Sequence, residues 1–263
     1  MADIGRGHLT PSRRNLLVLG GIVGVIYGLR AVPWDRFSRR GPGYVALDGL
    51  SPFRALASAG QVSSGSVALI GLDPPDDDSK ARKGRADAVR ADLCSALFGA
   101  DIPPDIVPIA YFSEFLCPYC RALERDLDDI LASDPTAVRL VQHELPIFGP
   151  PSELAARASV AAARQGLQQP LRRRLMRTSL VADARSILAV AATVGLETEQ
   201  LWRDMRSPQV QAELDQTRAL ADVFGFVGTP GLVIGRTVMT GVVPAPLLQR
   251  IIADERSLAP ISC

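Results

Sequence analysis

Hydrophobic and polar positions change period several times along this chain, and each change marks an element. Residues 16–29 carry no charge and follow Arg13-Arg14, the charged-then-apolar order of an export signal. A spanning helix needs about 20 residues, which this run reaches only if Arg30 snorkels and the apolar stretch continues to Trp34. No small-x-small cleavage site stands between Tyr27 and Phe37, and Trp34 suits a membrane interface. We therefore read residues 1–34 as an uncleaved membrane anchor, with a cleaved signal as the alternative.

The stretch 35–104 has weaker periodicity and reads as an N-terminal extension. Gly41-Pro42-Gly43 and Ser63-Ser64-Gly65 mark turns, Val67 to Leu72 predicts a short strand, and the charged, proline-containing Asp73 to Arg85 predicts an exposed loop or linker. From Ala86 to Phe98, Val89, Leu93 and Leu97 recur at helical spacing, so Cys94 falls on or beside an apolar face; Pro103-Pro104 ends the helix.

Beyond Pro104 the signals sharpen. Ile106 to Phe112 predicts a buried strand, Arg121 to Ala132 a helix with Leu123, Leu127, Ile130 and Leu131 on one side, and Val138 to Gln142 another strand. Ala- and Leu-rich segments of helical period follow: Ser152 to Arg164, Leu171 to Thr178, Ala182 to Val194, Thr198 to Met205 and Pro208 to Phe224, with Ser152 and Asp183 placed as N-caps. Gly228-Thr229-Pro230-Gly231 then leads into Leu232-Val233-Ile234, a Gly235-Arg236 turn, a returning strand Thr237 to Thr240 and a closing helix Pro246 to Ile252.

Composition narrows the chemistry. The chain has 263 residues, 47% of them apolar, with 29 basic and 28 acidic side chains for a net charge of +1. That balance leaves no electrostatic footprint for a nucleic-acid backbone, and no such partner is expected. With only His8 and His143, multi-His metal sites are excluded, and no metal is expected. His143, at the end of a predicted strand, reads as a solvated or strand-end structural residue rather than a base. GxSxG is absent, and no Lys follows the glycines at Gly228 to Gly231, so neither a nucleophile elbow nor a phosphate loop is present.

Four cysteines remain: Cys94, Cys117, Cys120 and Cys263. They are too few for a disulfide-built scaffold. Cys117-Pro118-Tyr119-Cys120 lies between a predicted strand and a predicted helix, which places Cys117 at a helix N-terminus, where unpaired N–H groups and the dipole stabilise a thiolate. Pro118 suits the first helical turn. Cys120, one turn further in, is the candidate resolving thiol. Half of a zinc knuckle would need a second CxxC or two His, and neither exists. If the Thr229–Pro230 bond is cis, the Thr229 backbone is left free beside the CxxC to pair with an extended peptide. A Cys94–Cys263 disulfide would close a long loop and is allowed in an oxidising space, as are unpaired thiols or pairing between chains.

Phe115-Leu116-Cys117-Pro118-Tyr119-Cys120, Leu145 to Pro150 with Ser152 to Ala162, and Gly228-Thr229-Pro230 together resemble the DsbA family of thioredoxin-like thiol-disulfide oxidoreductases, over about Ile106 to Ala253. The resemblance implies an α/β thioredoxin-like fold over 105–150 and 226–258, with an inserted α-helical domain at 151–225. It further implies a cis proline at Pro230 facing a catalytic Cys117/Cys120 couple, and client binding by Thr229 and Pro230. No cofactor is expected, the dithiol being itself the redox centre. Implied partners are cysteine-containing client proteins, unfolded or metal-site proteins among them, and a quinone-linked membrane redox partner; the implied compartment is the periplasm. Ser12 to Leu17 also resembles a twin-arginine export signal.

Two departures from the family stand out. The position six before the first cysteine, often a buried acid, is Tyr111, which leaves Glu114 as the nearest candidate for proton transfer. The pair between the cysteines, Pro118-Tyr119, lacks the His of the most oxidising members, so the potential is expected nearer −180 mV than the roughly −120 mV of the strongest oxidant. The expected role is introduction or exchange of disulfides. A disulfide isomerase or reductase of the same fold, dimerised through 35–104, and a redox-inactive anchored peptide-binding module are the alternatives.

Overall fold

The computed structural model describes residues 43–57, 60–64, 77–136, 138–178 and 183–261. The expected anchor at 1–34, the expected strand at Val67 to Leu72, and Cys263 lie outside the described residues. Among the described residues no helix is long and apolar enough to cross a membrane.

The centre is β3 (Val107–Ser113), buried at every position, as its apolar sequence predicts for a strand covered on both faces. It pairs in parallel with β4 (Val138–Glu144) and antiparallel with β5 (Gly231–Ile234), which turns at Gly235-Arg236 into β6 (Thr237–Thr240). Gly235 has φ +52°, a left-handed conformation that glycine adopts without steric penalty.

Because side chains alternate across a strand, β3 feeds two cores. Ile109 and Tyr111 pack with Leu123, Leu127 and Ile130 of α3 (Pro118–Ser133) and Leu248 and Ile251 of α9 (Ala245–Arg256). Ala110 and Phe112 face the other way, onto Phe98 of α2 (Leu93–Phe98) and Leu220 and Phe224 of α8 (Pro208–Phe224).

Two results correct the reading of 35–104. Residues 44–56 are not peripheral: β1 (Tyr44–Ala46) and β2 (Arg54–Leu56) extend the sheet, β2 running parallel to β6, for the order β1-β2-β6-β5-β3-β4. The supposed linker, from Asp77 on, belongs to helix α1 (Asp77–Ala91). Arg90 in its last turn suits the negative end of the helix dipole, and the helix packs along α8 with Val89 buried. The helix expected to run on to Phe98 breaks at Asp92, whose φ of −143° is not helical.

Among the described residues between β4 and β5, the α-helices are α4 (Pro150–Ala162), α5 (Gln168–Arg177), α6 (Ala184–Ala192), α7 (Thr198–Asp204) and α8. Leu171, Leu175, Ile187, Leu201, Val210 and Leu214 form their own core. Helix α8 belongs to both halves: its first turns pack in that core and its last turns against the sheet. Asp183 caps α6, its carboxylate accepting from the Ser186 N–H at 2.8 Å. Ser152 is not a cap. Pro150 and Pro151 start α4 earlier, Gly149 takes the cap position, and the Ser152 hydroxyl is buried without a partner. The architecture is a thioredoxin-like mixed sheet with a helical insertion.

Candidate active site

Strand β3 delivers the chain through Glu114, Phe115 and Leu116 to Cys117, the N-cap of α3. Pro118 occupies the first turn, where a missing N–H costs nothing. Cys117 Sγ accepts the Cys120 N–H at 3.2 Å, as a capping side chain does. Both cysteines are free and fully buried, and both pack into the helical core, with Tyr119 half-buried against it.

The pairing of Phe112 with Gly231 places the segment before β5 against the end of β3. The Thr229–Pro230 bond is cis, and the Thr229 carbonyl oxygen lies 3.5 Å from Cys117 Sγ. The Thr229 hydroxyl is buried without a hydrogen-bond partner, and the Thr229 side chain is among the groups that lower the pKa of both cysteines. Thus the structure brings Cys117, Cys120, Thr229 and Pro230 into one place.

The two thiols are electrostatically unlike. The Cys120 thiol, donating to Cys117 Sγ, is the largest influence on Cys117; with the Thr229 and Ser63 side chains and the Cys120 N–H it outweighs burial and brings Cys117 from 9.0 down to about 5. Burial, reinforced by the Cys117 thiolate, pushes Cys120 far above the ordinary thiol range. One group is a thiolate at neutral pH and the other holds its proton, the division of labour that thiol-disulfide exchange uses.

Glu114 sits on the Cys117 side. One carboxylate oxygen accepts the Leu116 N–H at 2.7 Å and the other is buried without a partner. Burial is the main cause raising it from 4.5 to about 7, against the Leu116 hydrogen bond. Tyr111, where a family acid often stands, donates its hydroxyl to the Cys120 carbonyl at 3.0 Å. Burial drives its pKa well above 10, so it is neutral at physiological pH.

Beneath the cysteines lies a charged cluster that sequence reasoning misses. Arg172 of α5, fully buried, reaches both oxygens of Glu144 at 2.6 Å, both oxygens of Glu124 at 3.1 and 2.8 Å, and the Ser113 hydroxyl at 2.7 Å. It ties the insertion to α3 one turn past Cys120 and to the ends of β3 and β4. Arg172, Arg173 and Arg174 are consecutive, and the helical spacing of Leu171, Leu175 and Met176 is the signal that places Arg172 alone of the three on the apolar face. Ser63 reads only as a turn residue in the sequence, yet it pairs through its backbone with Thr229, and its side chain is among the groups that lower the Cys117 pKa.

His143 is not solvated. It is buried, stacked on Phe112 at 4.6 Å and bonded through Nε2 to the Leu97 carbonyl at 2.8 Å; burial lowers its pKa to about 4. A carbonyl partner fixes Nε2 as the protonated nitrogen of a neutral ring. Cys94 is disulfide-bonded, and the partner considered for it, Cys263, lies outside the described residues.

Residues 108–253 match the family described as DSBA-like thioredoxin domain. A thioredoxin-like oxidoreductase from Silicibacter pomeroyi DSS-3 is 40% identical, with a TM-score of 0.56 over 58% of this chain and 88% of that one. The catalytic domain of Proteus mirabilis ScsC, 22% identical over 66% of this chain and 99% of that one at TM-score 0.56, shares the fold. So does the thiol-disulfide exchange protein alpha-DsbA2 from Wolbachia pipientis, 16% identical over 69% and 99% at TM-score 0.56. The Na(+)/H(+) antiporter NhaA of Herminiimonas arsenicoxydans is 31% identical over 119 residues, 45% of this chain and 19% of that protein, so the chain spans about a fifth of the length of this curated relative. With a family match over more than half its length and a 40% identical relative covered almost throughout, the chain belongs to the DSBA-like thioredoxin domain family, a family of thiol-disulfide oxidoreductases.

Proposed function

We propose that this protein introduces disulfides into cysteine-containing client proteins in the periplasm, held at the membrane by residues 16–34. The observation that carries the reading is the unequal thiol pair, Cys117 lowered to about 5 beside a Cys120 raised far above it, facing the Thr229 backbone. A client thiolate attacks Cys117 Sγ of the oxidised couple; the Cys117–Cys120 bond breaks and Cys120 leaves, taking a proton. A second client thiolate then attacks the client sulfur of this mixed disulfide, expelling Cys117 as a thiolate. The client loses two electrons and two protons, and the couple gains the electrons. A quinone-linked membrane partner reoxidises it.

Low basicity makes Cys117 a good leaving group, and a stabilised thiolate favours the reduced couple, which makes the oxidised one a disulfide donor. Thr229 and Pro230 align the client strand, and Glu114 exchanges protons at the Cys117 end. In this organisation residues 105–150 and 226–258 form the redox domain and 151–225 the helical insertion over it.

The test uses the full chain, oxidised and stoichiometric with reduced, unfolded ribonuclease. Recovery of ribonuclease activity by wild type but not by Cys117→Ser supports disulfide donation. Equal recovery with both removes the enzymatic role; recovery only from scrambled, already oxidised ribonuclease assigns the protein to isomerisation.

A further inference from the structure

A thiol that exchanges with protein clients must be reachable, yet Cys117 has no exposed surface. Part of what lies against it is the chain's own segment Gly60 to Ser64. Ser63 and Thr229 form an antiparallel bridge, the Ser63 N–H donating to the Thr229 carbonyl at 2.8 Å and the Thr229 N–H to the Ser63 carbonyl at 2.9 Å. Both backbone groups of Thr229 that an incoming peptide strand would use are therefore already paired.

The contact is not limited to one residue. The Gly60 N–H donates to the Thr240 carbonyl at 2.8 Å and the Val242 N–H to the Gln61 carbonyl at 3.0 Å, so the segment runs from the end of β6 to the cis-proline loop. Glycines permit the approach: a Cβ on Gly228 would lie 2.5 Å from the Ser63 carbonyl oxygen, and one on Gly60 2.1 Å from that of Val242. At the end of this path Ser63 pairs with Thr229, whose carbonyl oxygen lies 3.5 Å from Cys117 Sγ, and the Ser63 side chain is among the groups that lower the Cys117 pKa.

We propose that Gly60 to Ser64 is an internal pseudosubstrate, seated where a client strand pairs with Thr229, with Ser63 in the place of the client's cysteine. A serine hydroxyl donates to the thiolate as a client thiol does but cannot form a disulfide, so the segment holds the site without being consumed. Because it is part of the same chain it competes at an effective concentration on the order of millimolar, and clients that pair weakly with Thr229 are excluded. This inference rests on the reading of Cys117 and Thr229 as the exchange site.

Two variants on a Cys120→Ser background test it. Ser63→Cys is treated with oxidised glutathione. The Cys117 thiolate attacks that disulfide and releases one glutathione thiolate; the thiol introduced at position 63 then attacks the Cys117 sulfur and releases the second, two protein thiols being oxidised and one disulfide reduced. Peptide mapping is expected to show a disulfide joining position 63 to Cys117, and a persistent glutathione adduct on Cys117 without that bond overturns the proposal.

Ser63→Pro removes the N–H that pairs with Thr229; with Cys117 first converted by oxidised glutathione to its glutathione mixed disulfide, attack of a cysteine peptide thiolate on the Cys117 sulfur, which releases glutathione thiolate, is expected to accelerate about fivefold to tenfold for one lost hydrogen bond. Equal peptide rates, with normal reaction of Cys117 toward iodoacetamide, overturn the pseudosubstrate and leave the exchange site intact. No reaction of Cys117 with peptide in either background overturns the site itself. Should Ser63→Pro not fold, the disulfide mapping of Ser63→Cys decides.

Discussion

Arg172 donates to both carboxylate oxygens of Glu144 at 2.6 Å in a place with no solvent exposure. Burial favours a neutral guanidine, but Glu144 and Glu124 more than offset it and raise its pKa above the ordinary arginine value. Removing one member of such a cluster leaves uncompensated buried charge. Arg172→Met is expected to destabilise the protein by about 3 to 5 kcal/mol, read as a lower urea midpoint. Arg172→Lys is expected not to restore stability, since one ammonium cannot meet two carboxylates in fork geometry. An unchanged midpoint for Arg172→Met refutes this.

Cys117 governs the pH dependence of reactivity. With its pKa lowered to about 5, alkylation of the reduced protein by iodoacetamide is expected to rise with a midpoint near pH 5 and to vanish in Cys117→Ser. A midpoint near 9 contradicts the assignment. The same shift affects stability of the reduced form. Its folded pKa lies below the unfolded value, so the contribution is full above about pH 9 and is lost as pH falls to about 5. The stability of reduced over oxidised protein, measured by thermal unfolding, is expected to shrink along that window.

Glu114 acts in the opposite sense. Its folded pKa, about 7, lies above 4.5, so the folded state binds the extra proton and stability declines as pH rises through that interval. Ionised Glu114 also disfavours the neighbouring thiolate. Glu114→Gln is expected to remove an inflection near pH 7 from the Cys117 rate profile while keeping the rise near pH 5. Persistence of the inflection assigns it to another group.

His143 supplies an acid-side slope. Its folded pKa of about 4 lies below 6.5, so the unfolded state binds the proton between these values and stability falls as pH drops through them. His143→Phe keeps the stack on Phe112 but loses the Leu97 hydrogen bond. It is expected to flatten the dependence of urea midpoint on pH between 6.5 and 4, whatever its effect at pH 7. An unaltered slope refutes the role.

What the sequence makes legible is what lies close together along it. Cys117 to Cys120 sits between an apolar strand and an amphipathic helix, and the cap geometry follows from those few residues; Thr229-Pro230 likewise precedes its strand directly. What escapes depends on distant partners. Ser63 looks like any turn serine, since its role comes only from the sheet bringing β2 and the cis-proline loop together. Helical spacing places Arg172, and not Arg173 or Arg174, on the face of Leu171, Leu175 and Met176, but that it meets Glu124 and Glu144 there depends on distant segments. The polar segment at Asp77 is a helix because α8 offers it a surface, which composition cannot show. His143 reads as either solvated or structural at a strand end, and it is the second; the sequence does not choose because burial of a neutral imidazole needs a carbonyl partner, and that partner, Leu97, lies in helix α2.

The central claim, that Cys117 exchanges disulfides with clients and Cys120 resolves them, is tested most directly by trapping. The full chain carrying Cys120→Ala is expressed beside native clients, alkylated in acid and examined on non-reducing gels. Mixed disulfides are expected that disappear on reduction, map to Cys117 and are absent when Cys117 is also replaced by Ser. The absence of adducts, or adducts that persist without Cys117, would contradict it.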